Sequence, residues 1–326
     1  MPTAENAKLQ YEGGQTAYPM GLLTDSGDHL SYTSSASQWS GKSGSKPNVK
    51  PNGLATGGVV TAGTANDTVD VASLTCYLAG IKTSVTAAAA ESITRPATNV
   101  ARINSITVTS AGAIAVIAGT AAADTTFIET RGGAGGPPYI PVGDIEIAQV
   151  RMTTSTAAVI TSAELFAVIG LHVERFDFPI WTENSSAGEV DFSSALPLIH
   201  TGDLPKRVYA EYSAPVFADV QLATDFVPPE TTHSQNSTQI YGGNIGSSTQ
   251  SLNQGSFTAF LRNGVDDTLV TLANETLWFK FYPDRFESQY VLTQGALGIA
   301  RTFPAGDSIQ AACTISALEE ALNVSS

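Results

Sequence analysis

The chain has 326 residues, enough for two compact domains with a buried core in each. Hydrophobic residues make up 42% of it and charged residues only 14%, where an average soluble domain has roughly 25% charged. Ser, Thr, Ala and Gly fill the difference, a mix that suits extended structure with large packed or assembled surfaces. The charge is uneven: residues 1–165 carry 9 Lys and Arg against 12 Asp and Glu (net −3), and residues 166–326 carry 7 against 18 (net −11). An acidic half repels nucleic acid at long range, which argues against a domain that grips DNA.

Residues 1–55 are polar and show little periodicity. MPTAENAKLQYEGG has no basic-then-apolar leader pattern, and no apolar run in the chain approaches the ~18 residues of a membrane span. The expectation is a protein made and kept in a cytoplasm. SYTSSASQWSGKSGSKPNVKPNG cannot bury enough apolar surface to fold alone. It reads as an arm, either a flexible linker or a segment that orders against a neighbouring subunit with Tyr18 and Trp39 as anchors.

Residues 56–165 read as a β-rich accessory domain of short segments punctuated by turns. Strands are expected over Thr68–Leu74, Cys76–Val85, Ile103–Thr109, Ile114–Ile117 and Asp144–Met152, the third and fourth joined through Ser-Ala-Gly as a hairpin. Between the hairpin and the last strand lies a Gly/Pro loop, RGGAGGPPYIPVG. This order, ending in PVGDIEIAQV, resembles small β modules of phage tail fibre and baseplate proteins. The two cysteines, Cys76 and Cys313, have no metal spacing and read as buried free thiols.

Residues 166–326 read as a second β domain. AVIGLHVERFDFPI alternates as one long strand with Val168, Leu171, Val173 and Phe176 on its apolar side. ALPLIHTGDLPKRVYAEY and APVFADVQLATDF supply further strands. Residues 228–256 then form a long polar loop holding Ile240-Tyr241; a loop of this length is either functional or disordered, and between two strands it can be an extended hairpin arm. The stretch Gly255–Ser316 closes the domain: a strand over Ser256–Leu261, a short helix opened and capped by Asp266-Asp267, and an aromatic strand over Leu277–Tyr282. A strand turning at Gly295 and Gly298 follows, then a last alternating strand after Gly306-Asp307. The fold class is therefore all-β with one short helix, in two β-sandwich or barrel-like domains.

The order of elements over 166–326 resembles the tail tube proteins of long-tailed, non-contractile phages. ADVQLATDF leads into the polar loop, SFTAFLRNG returns from it, DDTLVTLANE gives the helix, and LWFKFYP the aromatic strand. Trp278, Phe281 and Pro283 stand where that family carries its aromatic motif, Gly295 and Gly298 at its turn, and Thr314 on its closing strand. The resemblance implies rings of six copies stacked into a tube that conducts DNA, with the 56–165 domain outside the tube. It implies that the protein pairs with itself, with other tail proteins such as the tape measure and the tail terminator, and with genomic DNA in passing. It places the protein in the virion tail, assembled in the host cytoplasm, without a membrane. Gln239, Ile240, Tyr241 and Asn244 are then the residues that reach a neighbouring subunit. Asp219, Asp225, Glu287 and Asp307, each on or beside a strand, are candidates to face an acidic lumen.

No catalytic, cofactor or metal site is read. His29, His172, His200 and His233 are scattered and lie in no metal-binding or catalytic motif, and Gly132–Gly136 lacks the Lys-Ser/Thr that cradles phosphate. Two other readings stand beside the tube: a tail fibre, baseplate or capsid-decoration protein, and a β-sandwich carbohydrate-binding module using Trp39, Tyr139 or Trp181.

Overall fold

The structure, a computed structural model, describes residues 4–167 and 181–325. It is all-β with one short helix. The long strand expected over 167–180 falls almost wholly outside the described residues, as does His172.

The chain forms two compact units, and their ranges are not those read from composition. Unit 1 takes residues 1–17, 38–46 and 212–326; unit 2 takes 18–37 and 47–211. Residues 1–55 are thus not an arm, and the accessory body is not an N-terminal domain but an insertion within unit 1. The physical reason is that strand pairing and side-chain burial join stretches far apart in sequence, which local composition cannot register. Division by unit also evens the charge: unit 1 holds 7 Lys and Arg against 13 Asp and Glu (net −6), unit 2 holds 9 against 17 (net −8).

In unit 2, Arg102–Val108 pairs antiparallel with Ile114–Ala118 and with Ile145–Met152, the hairpin and third strand expected from their alternation. Leu74–Leu78 and Ile81–Val85 form a hairpin where one strand was expected; Ala79 and Gly80 both take positive φ and make its turn. Val69, Val71, Leu74, Cys76, Ile106 and Ile147 come from different sheets and share one core.

Unit 1 is built on strands labelled here in chain order: β1 (Lys8–Leu22), β2 (Val208–Asp219), β3 (Ala223–Val227), β4 (Thr231–Ile240), β5 (Gly243–Leu252), β6 (Gly255–Phe260), helix α1 (Thr268–Thr271), β7 (Thr276–Tyr282), β8 (Tyr290–Thr302), β9 (Gln310–Ala317) and β10 (Leu322–Val324). The division between units falls inside β1 and inside β2. The strand order is β3-β6-β9-β8-β7-β1-β2, with β10 added on β8. β3 stands at one end of this order and β2 six places along, followed only by Asn48–Pro51 on its first residues, yet only residues 220–222 join β2 to β3. The sheet must therefore curl back on itself, and Phe226 of β3 stacks on Phe281 of β7 with ring centroids 4.6 Å apart. Inside the curl, alternate residues of β6, β7, β8 and β9 are mostly apolar: Phe257, Leu277, Phe279, Leu297, Cys313 and Ile315 are buried together, with Leu269 and Leu272 from the helix region.

Three local expectations are corrected. Gly295 and Gly298 are not a turn; both lie within the thirteen-residue strand β8. A Cβ on Gly295 would stand 2.7 Å from Ile315 Cγ2 and 2.9 Å from the Ser316 backbone, so the missing side chain allows two strands and the core beneath them to approach. Asp267 precedes the helix but makes no side-chain cap; its carboxylate accepts the N–H groups of Arg262 (2.9 Å), Asn263 (3.2 Å) and Gly264 (2.7 Å) and folds the preceding loop instead. Trp39 is fully buried and stacks at 5.6 Å on Tyr212, so it anchors its own chain and is closed to any neighbour or glycan. Both cysteines are buried free thiols.

The glycine argument is testable. Gly295→Val is expected to cost ~1–3 kcal/mol of unfolding free energy by overpacking, measured as a lower urea midpoint. Gly243→Ala, which meets nothing within 4 Å, is expected to leave the unfolding free energy within ~0.5 kcal/mol of its starting value.

Candidate functional site

The polar loop is an ordered hairpin. β4 and β5 pair in ten consecutive antiparallel steps without a bulge, from Thr231 opposite Leu252 to Ile240 opposite Gly243. Tyr241-Gly242 makes a two-residue turn, with Gly242 at φ +94° where a Cβ would be strained. Cross-strand hydroxyl pairs support the ladder: Ser234 with Thr249 at 2.7 Å and Thr232 with Ser251 at 3.1 Å. From Thr232 to Ile240 every residue is exposed on both faces. No Asp, Glu, Lys or Arg occurs from Thr231 to Ser256. At ~3.3 Å per residue, the arm projects roughly 30 Å.

The four arm residues singled out by sequence are gathered at the tip. Gln239 stands opposite Asn244, and Ile240 and Tyr241 lead into the turn. The register adds one residue that sequence reading passed over. Ile245 pairs with Thr238, which puts it on the same face as Ile240, and both are exposed. Tyr241 is fully exposed. The signal was available, since Ile240, Tyr241 and Ile245 are the only large apolar residues between Thr231 and Ser251.

The four acidic candidates are not collected on one wall. Asp219 closes β2, where it accepts from Gln10 at 2.8 Å and pairs with Lys8 at 3.2 Å; the Gln10 bond, with help from Lys8, holds its carboxyl below the ordinary value. Asp225 sits on the edge strand β3 at φ +57°. Both line an open cleft of about 1170 Å³ at the base of the arm, along with Lys8, Phe226, Arg285 and Phe286. Glu287 lies in the exposed β7–β8 connection, and Asp307 lies in the exposed β8–β9 connection. The broad exposed face of β6, β8 and β9 instead carries Ser256, Thr258, Ala300, Ala312, Thr314 and Ser316, with no charge.

Some ionisable groups elsewhere are paired within the fold. In unit 2 the buried Glu146 takes Arg131 and Ser105 as partners, with Gln149 at 3.1 Å. Tyr139 bonds Asp203. Among the described residues no group of three or more His, Cys, Asp or Glu could hold a metal ion. No helix among them is long and apolar enough to cross a membrane. His200 is fully buried, with Nδ1 3.1 Å from the Pro141 carbonyl. Burial lowers its pKa to about 4 against the upward pull of the Pro141 bond, and Arg207, Arg131 and Lys206 push it the same way.

Comparison with known protein families finds no match, and comparison with curated proteins finds none either.

His200 sets a pH dependence. Its folded pKa lies below that of the unfolded chain, so on acidification the unfolded state takes the proton first. Stability is full above about pH 6.5 and falls as pH drops toward 4, by roughly 3 kcal/mol from this group. His200→Asn is expected to flatten that slope in urea unfolding followed from pH 7 to pH 4.5, whatever its stability at pH 7.

Proposed function

We propose that this protein is a self-assembling structural subunit of the tail-tube type, whose copies form rings that stack into a hollow tube conducting DNA. The observation that carries this reading is the arm. An isolated two-stranded hairpin is marginal in water, and this one has no apolar face laid on its own core. Its outer edges offer unpaired N–H and C=O groups along ten residues, without the Lys, Pro or bulge that usually blunts an edge. A feature of this kind is stable when another copy covers it.

The curled sheet of unit 1 supports the same reading, because a wall made of such bodies presents few free edges. A contact from the arm of one copy to a different surface of the next is heterologous, and repeated contacts of that kind close into rings or continue as filaments. The uncharged hydroxyl-rich face of β6, β8 and β9 offers DNA no cationic trap, and the −14 net charge repels it at long range. On this reading no residue is catalytic and no cofactor is needed. The partners are other copies, the tape measure and terminator proteins of the tail, and DNA in transit. The protein resides in the virion tail.

Negative-stain microscopy of the purified protein at rising concentration is expected to show rings and hollow filaments. Replacing residues 231–252 by Gly-Gly is expected to abolish them while leaving the circular dichroism spectrum of a folded β protein. A wild-type chain that stays monomeric throughout would sink the proposal.

A further inference from the structure

We infer that the cleft at the base of the arm is the receptor for the arm tip of a second copy. The inference rests on the self-assembly reading and names the surface that reading leaves open.

The cleft is aromatic beneath and carries more carboxylates than cations at its rim: Glu5, Asp219 and Asp225 against Lys8 and Arg285. Phe226 and Phe281 stack along it, and Phe286 overhangs it at 79% exposure with Leu222 at 64%. Its cations are held by the chain's own groups: Lys8 pairs with Asp219, and the Arg285 guanidinium donates to the main-chain oxygens of Asn6 (3.2 Å) and Ala7 (3.0 Å). What is left to bind is the aromatic floor, beside the carboxylates of Glu5 and Asp225. An anionic guest would meet this excess of carboxylate, whereas an uncharged apolar guest can cover the aromatic floor without giving up charge hydration.

The arm tip has the matching chemistry. Tyr241, Ile240 and Ile245 form its apolar end, and no charge lies anywhere along its length. A tyrosine that is rigid, large and fully exposed at the end of an arm is the side chain most often found as an anchor in a partner's pocket. Its own cleft is out of reach: β4 begins four residues after the end of β3, which lines the cleft, and the tip stands roughly 30 Å beyond that base. The occupant is therefore the tip of another copy. Tip and cleft are different surfaces of one molecule, so each copy gives one contact and receives one.

Cysteine pairing tests this on the full chain. Oxidation of the double variant Tyr241→Cys with Phe286→Cys is expected to give a ladder of covalent oligomers on a non-reducing gel. Either single variant can give dimers at most, and the native thiols are buried. Tyr241→Cys paired with Phe303→Cys, an exposed position away from the cleft, is expected to give no ladder. Should the double variant fail to fold, Tyr241→Ala and Phe286→Ala carry the test: each is expected to raise the concentration needed for assembly about tenfold. Wild-type filaments without a ladder, or with both alanine variants assembling normally, overturn the cleft as receptor and leave the tube reading standing. A wild type that never assembles overturns both.

Discussion

Unit 1 depends on one pairing between the two ends of the chain. Lys8–Tyr11 lie in register with Tyr282–Phe279, and next along β1 the carboxylate of Glu12 is fully buried. Glu12 accepts the Ser40 hydroxyl and, at 3.2 Å, the Trp278 backbone N–H; the Trp278 indole N–H donates to the Trp39 carbonyl at 2.7 Å. Three distant stretches are thus fixed at one buried point. Burial raises the Glu12 carboxyl above its ordinary value against the pull of these donors, so the group is costly to leave with any of them missing.

That clamp accounts for how a whole second body can be carried inside the first. Glu12 and Trp278 are 266 positions apart, yet the entropic cost of closing a loop grows only with the logarithm of its length. Relative to a 20-residue loop the extra cost is ~2 kcal/mol. One desolvated network of hydrogen bonds and a fully buried Trp39 offset that amount. Residues 38–46 return to unit 1 between the two parts of unit 2, and they do so by delivering Trp39 and Ser40 to the clamp.

Much of the fold was legible where local pattern and tertiary structure agree. Alternation around Ser-Ala-Gly marked the hairpin of residues 102–118, and the run LWFKFYP marked β7. The length and polarity of 228–256 between two strands marked the arm. The failures share a cause. β1 reads KLQYEGGQTAYPMGL, with two adjacent glycines, a proline and no Val or Ile, and it is a strand because β7 pairs with it. Trp39 sits in a Ser/Gly/Lys-rich run whose composition says nothing of a partner 239 positions away. Gly295 and Gly298 looked like turn residues because glycine serves turns and close approach alike, and only the neighbouring β9 distinguishes the two. For the candidate site, the tip was visible as apolar residues in a polar loop. The cleft was not, since its lining joins residues 5–9, 219–226 and 281–286.

The distribution of charge ties fold and assembly together. Both bodies are acidic, and like charge keeps copies apart at long range, which protects a chain carrying a long unguarded hairpin from indiscriminate edge pairing. The arm itself is neutral, so it meets no such repulsion when it extends ahead of its own body. In the proposed assembly its fit at contact distance is decided by a few apolar residues at the tip and by backbone hydrogen bonds along the edge. Repulsion between bodies and attraction at the arm act over different ranges, the first screened beyond about 8–10 Å at physiological salt and the second only at contact. In the proposed assembly, association is governed by whether an arm finds its complementary surface, and like charge disfavours other approaches of the two bodies.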